Sequence, residues 1–179
     1  SGTIADVGSL DTFTVQIDWD DDGSVDETIQ NVMAGAFNFS HQYLDDSPTG
    51  TASDLIPIRI QISDDDTGTL NSNTTVAVTN VAPVLESLEI TSVSENGSAV
   101  LTGTFSDIGS EDTHSISIDW GDGTTMTVSV VGGAFSIPHQ YLDDNPTASS
   151  SDLYAVNVQL MDDDLGFDSL NVTTLVSNA

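Results

Sequence analysis

The sequence predicts an all-β protein of two tandem antiparallel β-sandwiches, on three observations. A block of words occurs twice, apolar residues alternate with a period of two, and the segments between are rich in Gly, Asp, Asn and Ser. Thr3-Ile4-Ala5-Asp6-Val7-Gly8-Ser9 through Ile17-Asp18-Trp19 returns as Thr104-Phe105-Ser106-Asp107-Ile108-Gly109-Ser110 through Ile118-Asp119-Trp120. His41-Gln42-Tyr43-Leu44-Asp45-Asp46 then returns as His139-Gln140-Tyr141-Leu142-Asp143-Asp144. A repeat of about a hundred residues is too long for a solenoid unit and suits a small domain that folds by itself. The domains are placed at 1–80 and 81–179, meeting at Asn80-Val81-Ala82-Pro83, where Pro83 stops one strand and stiffens entry into the next.

The strands follow from alternation. In the first repeat Ile56, Ile58, Ile60 and Ile62 share a face opposite Pro57, Arg59 and Gln61. The second repeat opens with a candidate strand at 84–91, followed by 99–105. His114, Ile116, Ile118 and Trp120 then alternate with Ser115, Ser117 and Asp119, as a half-buried strand requires. Candidates at 125–131 and 134–138 come next, and Tyr154, Val156, Val158 and Leu160 repeat the pattern of the four isoleucines. A last strand is expected at 170–176. No helical period competes, so about seven short strands per domain argue an immunoglobulin-like sandwich. Ser1 aligns with Thr102, so the first repeat is expected to lack its opening strand and to leave an edge that a neighbouring chain could fill.

Composition narrows the function. Of 179 residues 29 are acidic and one, Arg59, is basic, for a net charge of −28. Nucleic acid and direct contact with anionic membrane are excluded as partners, because both are held through Lys and Arg. There is no Cys for a disulfide or thiol chemistry. Neither a membrane-spanning apolar run nor a leader pattern occurs, and the expectation is a segment of something longer. Twenty-four of the acids are Asp, at matching places in the two repeats. Cation sites explain that arrangement; a solvated acidic surface adapted to high salt is the competing explanation, and Asp also favours turns for its own backbone reasons.

Ile118-Asp119-Trp120-Gly121-Asp122-Gly123, His139-Gln140-Tyr141, Tyr154-Ala155-Val156-Asn157-Val158-Gln159-Leu160 and Asp162-Asp163-Asp164-Leu165-Gly166 resemble, in this order, the motifs of the PKD domain. Trp120 stands where that family more often has Phe, and the first repeat reads Asp18-Trp19-Asp20-Asp21-Asp22-Gly23. The resemblance implies PKD-like sandwiches of the kind strung along large bacterial surface proteins. It implies a non-catalytic, extracellular or cell-surface spacer or adhesion module whose partners are neighbouring repeats of the same polypeptide. A glycan- or protein-binding accessory module of a secreted enzyme is the alternative.

In an antiparallel sandwich successive loops fall at opposite ends, which sorts the acids. Asp107 and Asp112 should share the end facing the first repeat with Asp162, Asp163 and Asp164, while Asp18, Asp20, Asp21, Asp22 and Asp26, and Asp45 and Asp46, should share the end facing the second; in the first repeat Asp6 and Asp11 should lie with Asp64 and Asp66. Two carboxylates about 4 Å apart repel by roughly 1 kcal/mol even in bulk water. The junction is thus expected to be acidic from both sides, and with no basic side chain at hand a cation is expected there. Hard oxygen donors without Cys or paired His select Ca²⁺. Asp18, Asp20, Asp22 and Gly23 match the start of an EF-hand-type loop, but position twelve would be Ile29, so Asp26 or Glu27 must supply the missing ligand. The competing reading is a solvated Asp-rich hairpin. His41 and His139 are expected to fix their loops by hydrogen bonding, His114 to sit at the core edge, and Trp19 and Trp120 to anchor the two cores. No nucleophile elbow, phosphate loop or catalytic carboxylate pair is present in the sequence.

Overall fold

The computed structural model describes residues 1–7, 10–46, 50–144 and 148–179. Gly8 and Ser9 of the first repeated word lie outside the described residues. The chain forms two compact units, one of Ser1–Asp46 and Ser53–Thr79, the other of Ser47–Ala52 and Asn80–Ala179. All regular structure described is strand, numbered β1 to β14 along the chain.

In the second unit β7 (Val84–Ile90), β9 (Ser98–Ser106) and β12 (Ala134–Gln140) form a three-stranded sheet in the order β12-β9-β7. The other sheet runs β11 (Thr125–Val130), β10 (His114–Asp119), β13 (Ser151–Met161), β14 (Phe167–Ser177) and β8 (Val93–Ser94). That is an immunoglobulin-like order. Neighbours pair antiparallel except β8, which joins β14 in parallel through Val93 opposite Val176. Because side chains alternate across a strand, Leu85, Leu101, Phe105, Phe135 and Ile137 from one sheet meet Ile116, Ile118, Trp120, Val156, Val158 and Leu160 from the other. Trp120 is fully buried. Each such aliphatic side chain contributes about 1.5–3 kcal/mol on leaving water, which makes this layer the main source of stability.

In the first unit β3 (Glu27–Met33), β2 (Thr12–Asp18), β5 (Ser53–Asp64) and β6 (Thr69–Thr79) form a four-stranded sheet in that order. The facing sheet is β1 (Gly2–Ile4) with β4 (Gly35–Phe37). Ile4, Phe13, Val15, Ile17 and Ile58 are the buried centre, with Trp19, Phe37 and Ile60 packed around it. Trp19 is only half-buried, so it closes the rim of this core where Trp120 fills the middle of the other.

One register feature recurs. Gly2 pairs with Phe37 and Gly103 with Phe135, each phenyl ring lying over the glycine across the strand. A Cβ at Gly2 or at Gly103 would strike that ring, so absence of a side chain makes room for the aromatic.

Candidate metal centre

In the second unit, pairing of Ser115 with Met161 sets the loop before β10 beside the loop after β13. The first carries Asp107 and Asp112, the second Asp162, Asp163 and Asp164. Asp107 accepts the Gly109 amide at 3.1 Å and pairs through Oδ2 with His114 Nε2 at 2.8 Å. Asp162 Oδ1 accepts the amides of Asp164 at 3.0 Å and Gly166 at 2.6 Å, while its Oδ2 accepts Asn80 Nδ2 at 2.8 Å. Asp163 ties the loops together by accepting the Thr113 amide at 2.8 Å. Leu165, in the left-handed region at φ 72°, makes the turn that brings Gly166 back under Asp162.

The result is two carboxylate triplets that share Asp112. Asp107, Asp112 and Asp162 each place an oxygen within 4.8 Å of the other two, and so do Asp112, Asp163 and Asp164. Asp163, one of the three acids expected in the converging loop, joins Asp164 in the second triplet. Asp164 is 0% exposed. Its Oδ1 accepts the Gly50 amide at 2.5 Å, and its buried Oδ2 has no hydrogen-bond partner. A carboxylate oxygen buried without a partner is expensive unless a cation compensates it. The donors are all hard oxygens, and the site fits Ca²⁺ on both counts.

In the first unit the equivalent acids are arranged differently. Asp6 hydrogen-bonds Asp11, and this bond, then burial and the charges of Asp6, Asp65 and Asp66, raise the Asp11 carboxyl above its ordinary value. Asp64 Oδ1 instead accepts the amides of Asp66 at 2.7 Å and Gly68 at 3.1 Å. Among the described residues Asp6, Asp11, Asp64 and Asp66 form no three-oxygen cluster.

The turn after β2 does gather acids. Asp18, 4% exposed at the strand end, accepts the amides of Asp22 at 3.2 Å and Gly23 at 3.0 Å. Asp21 and Gly23 adopt positive φ of 55° and 95°, which bends the loop so that Asp18, Asp20 and Asp22 bring oxygens within 4.8 Å of one another. Asp26 is not among them, since it accepts the Trp19 amide at 2.7 Å. Glu27 accepts Trp19 Nε1 at 3.3 Å. The corresponding turn of the second unit has Gly121 and Gly123 in place of further acids.

The histidines serve the framework. His139 stacks on Trp120 with centroids 4.3 Å apart and planes 7° from parallel, meets Tyr141 edge-on, and pairs with Asp122 at 2.8 Å. His41 repeats the stack on Trp19 at 5.1 Å and the edge contact with Tyr43 at 4.7 Å. Burial works to raise the Asp122 carboxyl, but the hydrogen bonds from Thr124 and His139 outweigh it and hold it below the ordinary value.

The sequence matches no protein-family model and no curated protein. Among solved structures it is similar to the FN1–FN3 domains of chicken CNTN1, at 9% identity and a TM-score of 0.35, over 93% of this chain and 57% of that one. It is also similar to extracellular domains 3–5 of Drosophila OTK, at 11% identity and a TM-score of 0.26, over 95% of this chain and 54% of that one. The chain thus spans little more than half the length of either.

Proposed function

We propose that this chain is a non-catalytic extracellular module, a spacer or adhesion segment of a larger surface protein, whose Asp-rich loops are rigidified by Ca²⁺. The observation that carries the reading is Asp164, fully buried with Oδ2 unpartnered where the loops before β10 and after β13 converge. In the second unit Asp107, Asp112, Asp162, Asp163 and Asp164 would hold the ion, and in the first Asp18, Asp20 and Asp22. Bound there, Ca²⁺ offsets carboxylate repulsion and stabilises the folded loops by linkage, because the unfolded chain offers no such cluster.

Thermal unfolding after chelation, with Ca²⁺ added back at constant ionic strength and Mg²⁺ and NaCl as controls, tests it. The expected result is a rise in Tm specific to Ca²⁺ at about 10⁻⁴ to 10⁻³ M, the range of extracellular modules. An equal response to every salt would mean general screening of the net charge of −28 and would remove Ca²⁺ from the account.

A further inference from the structure

A third set of acids in the second unit lies away from these loops. The turn between β8 and β9 carries Glu95, and the segment after Tyr141 carries Asp143 and Asp144. The backbone around them is fixed. Glu95 N donates to Ser177 O at 2.7 Å, Tyr141 N to Gly97 O at 3.1 Å, and the Tyr154 hydroxyl to Asp143 O at 3.0 Å. Glu95, Asp143 and Asp144 thereby bring a carboxylate oxygen each within 4.8 Å of the other two.

A second observation concerns Asp144 itself. It is 3% exposed, and its buried Oδ2 has no hydrogen-bond partner. The unit offers no compensating cation. Arg59, the one basic residue of the chain, belongs to the first unit, and His114 and His139 pair with Asp107 and Asp122. A buried carboxylate flanked by two others, all hard oxygen donors, is a setting that selects a hard divalent ion.

We propose that Glu95, Asp143 and Asp144 form a further Ca²⁺ site, with Asp144 as its buried anchor and Glu95 and Asp143 closing it from the rim. Through Glu95 N on Ser177 O, the ion ties the turn before β9 and the segment before β13 to the last strand. The site is independent of the loops around Asp112 and stands or falls separately from them.

Amide NMR of the chelated whole chain, titrated with CaCl₂ at constant ionic strength, tests it. Amides of 94–97 and 143–144 should shift saturably below about 10⁻² M, and should do so equally in an Asp112→Asn variant. Asp144→Asn should abolish these shifts while those of 107–113 persist, and in chelator it should be at least as stable as the parent because an uncompensated buried charge is gone. Glu95→Gln, at a partly exposed position, should weaken the same titration at least tenfold without affecting the fold. Amides of 94–97 and 143–144 that stay still, or that move as readily with NaCl, would overturn the proposal; so would retention of the shifts in Asp144→Asn.

Discussion

The Tyr141 hydroxyl donates a 3.0 Å hydrogen bond to the backbone carbonyl of Trp120, and Tyr43 repeats this bond to Trp19 at 2.9 Å. Tyr141 is fully buried, so the carbonyl it satisfies has no water to turn to. Tyr141→Phe removes the donor and leaves that acceptor unpaired, and it should destabilise the second unit by about 1–3 kcal/mol. Tyr43→Phe should cost the first unit less, because Trp19 and Tyr43 are half-buried and solvent can replace the bond. Urea unfolding of the two variants against the parent checks both values.

Asp122 carries the pH dependence of the same corner. Its carboxyl is depressed in the folded state, so its contribution is fully present above the ordinary carboxylate value of 3.8 and is lost as pH falls through the lower folded value. The parent should lose stability over that acid window. Asp122→Asn should show a shallower loss there, as measured by unfolding from pH 5 down to about pH 2.

Gly109 guards the loop centre. A Cβ there would collide with the Asp112 carboxylate, which both triplets use, while its backbone lies outside the left-handed region. Gly109→Ala should therefore weaken the Ca²⁺ dependence of Tm by roughly 10- to 100-fold in midpoint concentration, a range seen when ligand positioning is disturbed. In chelator its Tm should stay near that of the parent.

Gly103 lies under Phe135, and a Cβ there would also come within 2.7 Å of the Ser87 carbonyl oxygen. Neither the ring nor a paired backbone can yield cheaply, so Gly103→Ala should cost about 1–3 kcal/mol, the range for overpacking a core. Denaturant titration with an unchanged m-value would locate the loss in the native state.

Arg59 and Asp21 form a 2.8 Å ion pair with side chains 52% and 30% exposed. Pairs this open contribute about 0–1 kcal/mol, and salt screens them. Arg59→Ala should change stability by less than about 1 kcal/mol, with the difference vanishing in high salt.

Much of this architecture was legible because alternation maps directly onto a half-buried strand. Ile116, Ile118, Val156, Val158 and Leu160 are all buried where the pattern placed them. Convergence of Asp107, Asp112 and Asp162 was also readable, since antiparallel order alone decides which loops share an end. What escaped depends on register and turn conformation, which composition does not encode. The partnership of His114 with Asp107 and the diversion of Asp26 to the Trp19 amide each turn on one local bend. The parallel contact of β8 escaped for another reason: two residues are too few to show a period.

That short parallel contact has a mechanical meaning. The second unit's first stretch of chain reaches its last strand through Val93 beside Val176 and Ser94 beside Ser177, both segments running in the same direction. Tension applied at opposite ends of the unit pulls these segments past each other along their lengths, so the hydrogen bonds joining them share the load in shear. An antiparallel pair pulled from adjacent ends would open like a zipper, one bond at a time. Stretching the unit from its two ends would therefore load this two-residue pair in shear.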